Sequence, residues 1–189
     1  MAIGHSYLAV ERSRDYPWLK NAAVVLCASI IIALFAPISI RLPFTPVPIA
    51  TQAQVILLLA ALLGSKRGAM AVLTYLFQGA MGLPVFAGGA AGIWTLAGPT
   101  GGYLLGYLLA AFITGFIMER TAARTPSKVF MAMGVGNLVI YAFGLPHLAR
   151  FVGWPGAFIL GMLPFVVGDL FKLIIATKIF KKLPSTQID

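Results

Sequence analysis

The sequence predicts an all-α, polytopic integral membrane protein: six transmembrane helices, with extracellular loops capping a ligand pocket. Three observations predict it. Of 189 residues, 60% are hydrophobic and only 10% are charged, with a mean hydropathy of +0.93, whereas soluble domains carry roughly 25% charged residues. Apolar runs recur between short polar turns, and a helix needs about 20 apolar residues to span. Lysine and arginine gather in alternate turns, the bias that orients a chain in a bilayer.

The chain reads as one membrane domain over 1–189, with a cytoplasmic tail over 1–19, a six-helix bundle over 20–182 and a C-terminal tail over 183–189. Glu11, Asp15 and Pro17 make the first stretch unlike a cleaved signal peptide, so the first apolar run is expected to stay as a span. That run, 20–36, is ended by Pro37. Residues 41–50, RLPFTPVPIA, hold three prolines within six positions, which forbids a regular helix. The second span, 51–64, ends at Gly64, and Ser65-Lys66-Arg67 turns the chain into a third over 68–82. A loop over 83–100 carries six glycines or prolines. The fourth span covers 101–118, a polar turn 119–128, and the fifth span 129–145. Trp154-Pro155 opens an apolar run that reaches Phe180, long for one straight span. Pro164 suits the first turn of a helix, so a short surface helix is expected over 156–162 and the sixth span over 164–182.

On one side of these spans lie eleven basic residues: Arg12, Arg14, Lys20, Lys66, Arg67, Arg120, Arg124, Lys128, Lys178, Lys181 and Lys182. On the other lie two, Arg41 and Arg150. The bias predicts a cytoplasmic (inner) membrane protein with both termini cytoplasmic and the loops 37–50, 83–100 and 146–155 outside. It accounts for the net charge of +9 without nucleic acid as a partner. The single cysteine, Cys27, excludes an intrachain disulfide and a CxxC site, and reads as a small core residue.

Of the five acidic residues, Glu11, Asp15, Glu119 and Asp189 fall in tails or in a polar turn. Asp169 alone lies inside the apolar body, with Lys172 one helical turn later. A carboxylate in that setting faces a partner, a cavity or a transported species. The position is about 7.5 Å into the sixth span at 1.5 Å per residue, in the outer part of its leaflet. The outward loops, with Phe44, Phe86, Trp94, Phe151 and Trp154, converge over the same end, and irregular backbone at that depth suits a lid over a cavity. A purely structural Asp169–Lys172 pair is the competing reading. No HxxxH, paired carboxylates or Ser-His-Asp set can be assembled from His5, His147 and Asp169, so neither an enzyme nor a metal site is expected. An ion-coupled secondary transporter of a small vitamin-like solute, with Asp169 and Lys172 as a relay, is the alternative function. The short length and lack of a visible internal repeat count against it.

The string GLPVFAGGAAGIWTLAGPTGGY (82–103) holds seven glycines and resembles the signature of BioY proteins, the biotin-binding S components of energy-coupling-factor (ECF) transporters. TPVPIATQ (45–52), GNLVIYAFGLPHL (136–148) and LPFVVGDLFK (163–172) resemble further segments of that family. The resemblance implies high-affinity capture of biotin from outside and no cofactor. It also implies partnership with a transmembrane coupling protein and ATP-binding cassette ATPases, since the chain has no GxxxxGK[ST] string of its own. It assigns Asp169 to the ureido ring, while Lys172 pairs with Asp169, contacts the valerate, or does both in turn. Gln52 is either an amide that donates to and accepts from the ureido group or a helix-capping residue. Trp94, Tyr103, Phe86 and Gly89 complete the loop-side candidates. Asn137 and Tyr141, at i,i+4 on the fifth span, contact either ligand or neighbouring helices. Ala23-x-x-x-Cys27 and Ser29-x-x-x-Ala33 stand where S components show an Ala-x-x-x-Ala docking face on the first helix.

Overall fold

The computed structural model describes residues 17–40, 42–121 and 125–182. The expectations for Arg41, Arg124 and the terminal stretches 1–16 and 183–189 lie outside the described residues. Helix α1 (Pro17–Phe35) stops just before Pro37, which has no N–H to continue the ladder. The proline-rich segment is not helical, as expected, but it is framed by a minimal hairpin. Strand β1 (Ser39–Ile40) pairs antiparallel with β2 (Ile49–Ala50), Ser39 opposite Ala50 and Ile40 opposite Ile49. The otherwise all-α architecture therefore carries one short ladder at its loop-bearing end.

Helices α2 (Gln52–Leu63) and α3 (Ser65–Ala80) meet at Gly64, whose φ of 85° suits a residue without Cβ. Helix α3 begins three residues earlier than the sequence suggests, and Glu119 explains why. Its Oε1 accepts from the Ser65 N–H at 2.7 Å and its Oε2 from the Ser65 hydroxyl at 2.8 Å. A carboxylate at a helix N-terminus satisfies free donors and opposes the dipole. Glu119, expected in a polar turn, is instead the last residue of α5 (Gly101–Glu119) and clamps it to the α2–α3 corner.

The loop expected over 83–100 contains a 3-10 turn (Ala87–Gly89) and a short helix, α4 (Ile93–Ala97). Helix α6 (Pro126–Gly161) runs past position 145, through Pro146, and breaks at Gly153 with φ 75° and ψ 165°. The sequence reading placed an open loop over 146–155. Inside a bundle, neighbouring groups compensate for the one donor that proline removes, whereas a positive φ ends the helical path outright. Pro155 then restarts the helix near its first turn, so the expected short helix over 156–162 is the second limb of α6. Helix α7 (Leu163–Lys182) matches the expected last span.

Among the described residues, α1, α5 and α6 are long and apolar enough to cross a membrane. Leu26, Leu73, Phe77, Leu138 and Phe171 all point outward and exposed, so the helices are apolar on the outside as well as the inside, as lipid requires. Helix α5 is the hub and packs most extensively against α6, then against α3 and α2. Its crossings use small residues: Ala110, Ala111 and, on α6, Ala132 are fully buried, which lets backbones approach closely. On α1, Ser29 is buried and accepts from Gln78 Nε2 at 3.3 Å, while Ala23 and Cys27 are exposed. The reading of Cys27 as a core residue is therefore corrected: α1 turns it to the outer face.

Candidate ligand-binding site

A cavity of about 400 Å³ opens between the hairpin segment, the 86–100 loop and α5, within the range of small-molecule sites. Val47, Pro48, Phe86, Ala90 and Leu104 give it apolar walls, while Thr45, Gln52, Thr95, Thr100, Tyr103 and Tyr107 add polar groups. A second lobe of about 50 Å³ adjoins it, lined by Asn137, Tyr141, Phe165, Asp169 and Lys172. The two share Val47, Pro48, Ala50, Tyr103 and Tyr107 as walls. The two lobes therefore adjoin across common walls, and the smaller one holds the charged groups.

The polar end is built from α6 and α7. Tyr141 donates its hydroxyl to Asp169 Oδ2 at 2.5 Å. Lys172 Nζ lies 3.4 Å from Asp169 Oδ1 and donates to the Ala50 carbonyl at 2.9 Å. The i,i+3 spacing puts both charges on one face of α7, and they remain 18% (Asp169) and 19% (Lys172) exposed, toward the lobe. The ion pair exists, yet it is not sealed off. Lys172 also ties α7 to the hairpin that roofs the cavity.

Gln52 is 1% exposed and donates from Nε2 to the Tyr75 hydroxyl at 2.6 Å. It is not a cap: Thr51 takes that position, without a side-chain capping bond. Tyr75 packs edge-on against Phe86, with ring centroids 5.6 Å apart. Phe86 fits there because Gly79 carries no Cβ, which would lie 2.2 Å from the ring. Tyr103 lines both lobes and donates to the Gly161 carbonyl at 2.9 Å, holding the second limb of α6. Thr45 does the same from the hairpin, donating to the Leu160 carbonyl at 2.7 Å.

The structure thus brings together Asp169, Lys172, Tyr141, Asn137, Gln52, Phe86 and Tyr103 around these adjoining lobes. It does not bring Trp94 or Gly89 to the wall. Trp94 is 82% exposed, and Gly89 sits in the 3-10 turn at φ 75°. Their neighbours Ala87, Ala90 and Thr95 line the cavity instead. Sequence reasoning missed Tyr107, although its i,i+4 spacing from Tyr103 was a usable signal. It also missed Gln54, which donates to Asn137 Oδ1 at 3.1 Å. His147, noted only as an unsuitable catalytic residue, lies with Nε2 3.0 Å from the Gly98 carbonyl, fastening the end of α4 to α6.

The biotin transporter BioY of Rhizobium etli is 40% identical over 160 residues, which is 80% of this chain and 85% of that protein. The biotin transporter BioY of Thermotoga maritima is 41% identical over 152 residues, 79% of this chain and 88% of its own. The fold is similar to the crystal structure of an S-component for biotin from an ECF-type ABC transporter. The TM-score is 0.78 at 26% identity, covering 88% of this chain and 92% of that one. The BioY family model matches residues 9–187, nearly the whole length, and this chain therefore belongs to the BioY family.

Proposed function

We propose that this chain captures biotin with high affinity and serves as the substrate-binding S component of an ECF-type transporter. One observation carries the reading: a small lobe with Asp169, Lys172, Tyr141 and Asn137 adjoins a larger cavity walled by Val47, Pro48, Phe86 and Leu104. Biotin has the matching division. Its ureido ring offers two N–H donors and a carbonyl, and an apolar bicycle and a flexible acyl tail follow. A carboxylate such as Asp169 accepts from a ureido N–H, and Lys172 donates to the carbonyl or to Asp169. Phe86, Leu104, Tyr103 and Tyr107 surround the bicycle in this arrangement.

In this reading α1, α2, α3, α5, the first limb of α6, and α7 make the six spans, with α2 and α3 as short ones of 12 and 16 residues. The asymmetry of lysine and arginine supports cytoplasmic termini in the inner membrane, with the cavity facing out. Energy and release to the cytoplasm then come from the coupling protein and ATPases of an ECF module.

Calorimetric titration of biotin into the detergent-purified protein, with thiamine and riboflavin as controls, tests the reading. One-to-one binding of biotin alone is expected. A folded sample that ignores biotin would overturn the assignment. The roof yields a kinetic test. His147→Ala frees the end of α4 from α6, and biotin release is expected to quicken by about tenfold, as for loss of one hydrogen bond. Stopped-flow or filter-retention rates check it, and an unchanged release rate would mean that this fastening does not retain ligand.

A further inference from the structure

We infer that Gln54 sets ligand selectivity from outside the cavity by fixing which end of the Asn137 amide faces the polar lobe. The inference rests on the biotin reading above. Gln54 lies on α2, two residues beyond Gln52, so its side chain leaves the helix on the other side and meets α6 rather than α3. It is 5% exposed, and its Nε2 donates to Asn137 Oδ1 at 3.1 Å. Among the described residues, its own Oε1 is a buried side-chain oxygen without a hydrogen-bond partner. A buried unpaired carbonyl costs free energy, so this glutamine is a poor choice for stability alone. Its benefit lies in the neighbour it holds.

Asn137 lines the lobe that also holds Asp169 and Lys172. With Gln54 Nε2 on its oxygen, the amide is held with its NH2 end toward that lobe, the orientation that Asp169 selects, since Gln54 by itself could pair with either end. The Asp169 carboxylate on the same wall favours a donor there over a second acceptor. A ureido carbonyl entering the lobe then meets two donors, Asn137 Nδ2 and Lys172 Nζ, while Asp169 takes a ureido N–H. Gln54 never touches ligand; it is a positioning residue for an amide that is otherwise free to turn over.

The test compares biotin with 2-iminobiotin, in which the ureido carbonyl is replaced by a protonated imino group that donates and does not accept. Native protein is expected to prefer biotin. Gln54→Met keeps the length and removes the donor. It is expected to weaken biotin by about tenfold while leaving iminobiotin within about twofold, with a thermal midpoint near the native one, since one unpaired oxygen is removed while Asn137 Oδ1 loses its donor. Asn137→Asp places an acceptor at the lobe and should turn the preference toward iminobiotin. In an Asn137→Ala background, Gln54→Met should have no further effect on the ratio. A Gln54→Met protein whose biotin-to-iminobiotin ratio equals the native one overturns the inference, as does a loss of both ligands in parallel with a fallen midpoint. Failure of native protein to bind biotin at all would instead sink the functional reading on which it stands.

Discussion

Asp169→Ala is expected to weaken biotin binding by about a hundredfold or more, the scale seen when one member of a hydrogen-bonded charge pair that ligand would bury is truncated. The size follows from how many roles meet at this carboxylate. It accepts from Tyr141, faces Lys172 and presents its remaining lone pairs to the small lobe. Removing it takes away the acceptor for the ureido N–H. It also leaves Lys172 as an uncompensated cation in apolar surroundings. Lys172 then loses part of its reason to stay at the Ala50 carbonyl, which loosens the hairpin over the cavity. Asp169→Asn separates charge from shape: its oxygen can still accept, so an intermediate loss is expected. Calorimetry with each variant, alongside thermal unfolding in detergent, distinguishes a lost contact from a lost fold. If Asp169→Ala binds biotin like the native protein, the ligand occupies the cavity without using the polar lobe, and the Asp169–Lys172 pair is purely structural.

The helices were legible because prolines and apolar runs are local signals. Pro37 and the triplet Pro43, Pro46 and Pro48 ended or excluded helix where the structure does too. The fifth span runs past its expected end at 145 and through Pro146, because whether a proline stops a helix depends on what surrounds the unmatched carbonyl, and within α6 only Gly153 adopts a φ that breaks the path. Asp169 was legible as a polar residue in the wrong solvent, and its partner Lys172 by helical spacing. Trp94 shows the limit of that approach. A ring in a glycine-rich loop has no periodicity to fix its direction, and here it points outward. Glu119 and Gln54 were beyond reach for a different reason. Their partners, Ser65 and Asn137, lie 54 and 83 residues away in sequence, and no spacing rule connects such pairs. Site chemistry was thus readable where it shared one helix and unreadable where it bridged two.

Gly102→Leu should be strongly damaging although it lies away from the polar lobe. Helices α5 and α6 approach closely here: a Cβ on Gly102 would lie 2.5 Å from the Phe143 carbonyl oxygen and 2.3 Å from the His147 Cβ. The first obstacle is backbone, so no change of rotamer relieves it and the helices must separate. Gly106, one turn on, is also a close approach, though a looser one, with Ile140 backbone at 3.2 Å, so separation opens the whole crossing. Overpacking of this kind costs about 1–3 kcal/mol and occasionally more, and the upper end is expected. Function falls with it, since Tyr103 and the His147 fastening flank the same contact. Gly134→Ala on α6 is the control: nothing lies within 4 Å of the added carbon, and helix propensity favours it by up to about 1 kcal/mol. Thermal midpoints and biotin-binding capacity of the two variants check the pair of expectations. Should Gly102→Leu unfold at the native midpoint, α5 and α6 would have to pack more loosely than a glycine crossing implies. The close positioning of Tyr103 against Gly161 would then need a cause other than this interface.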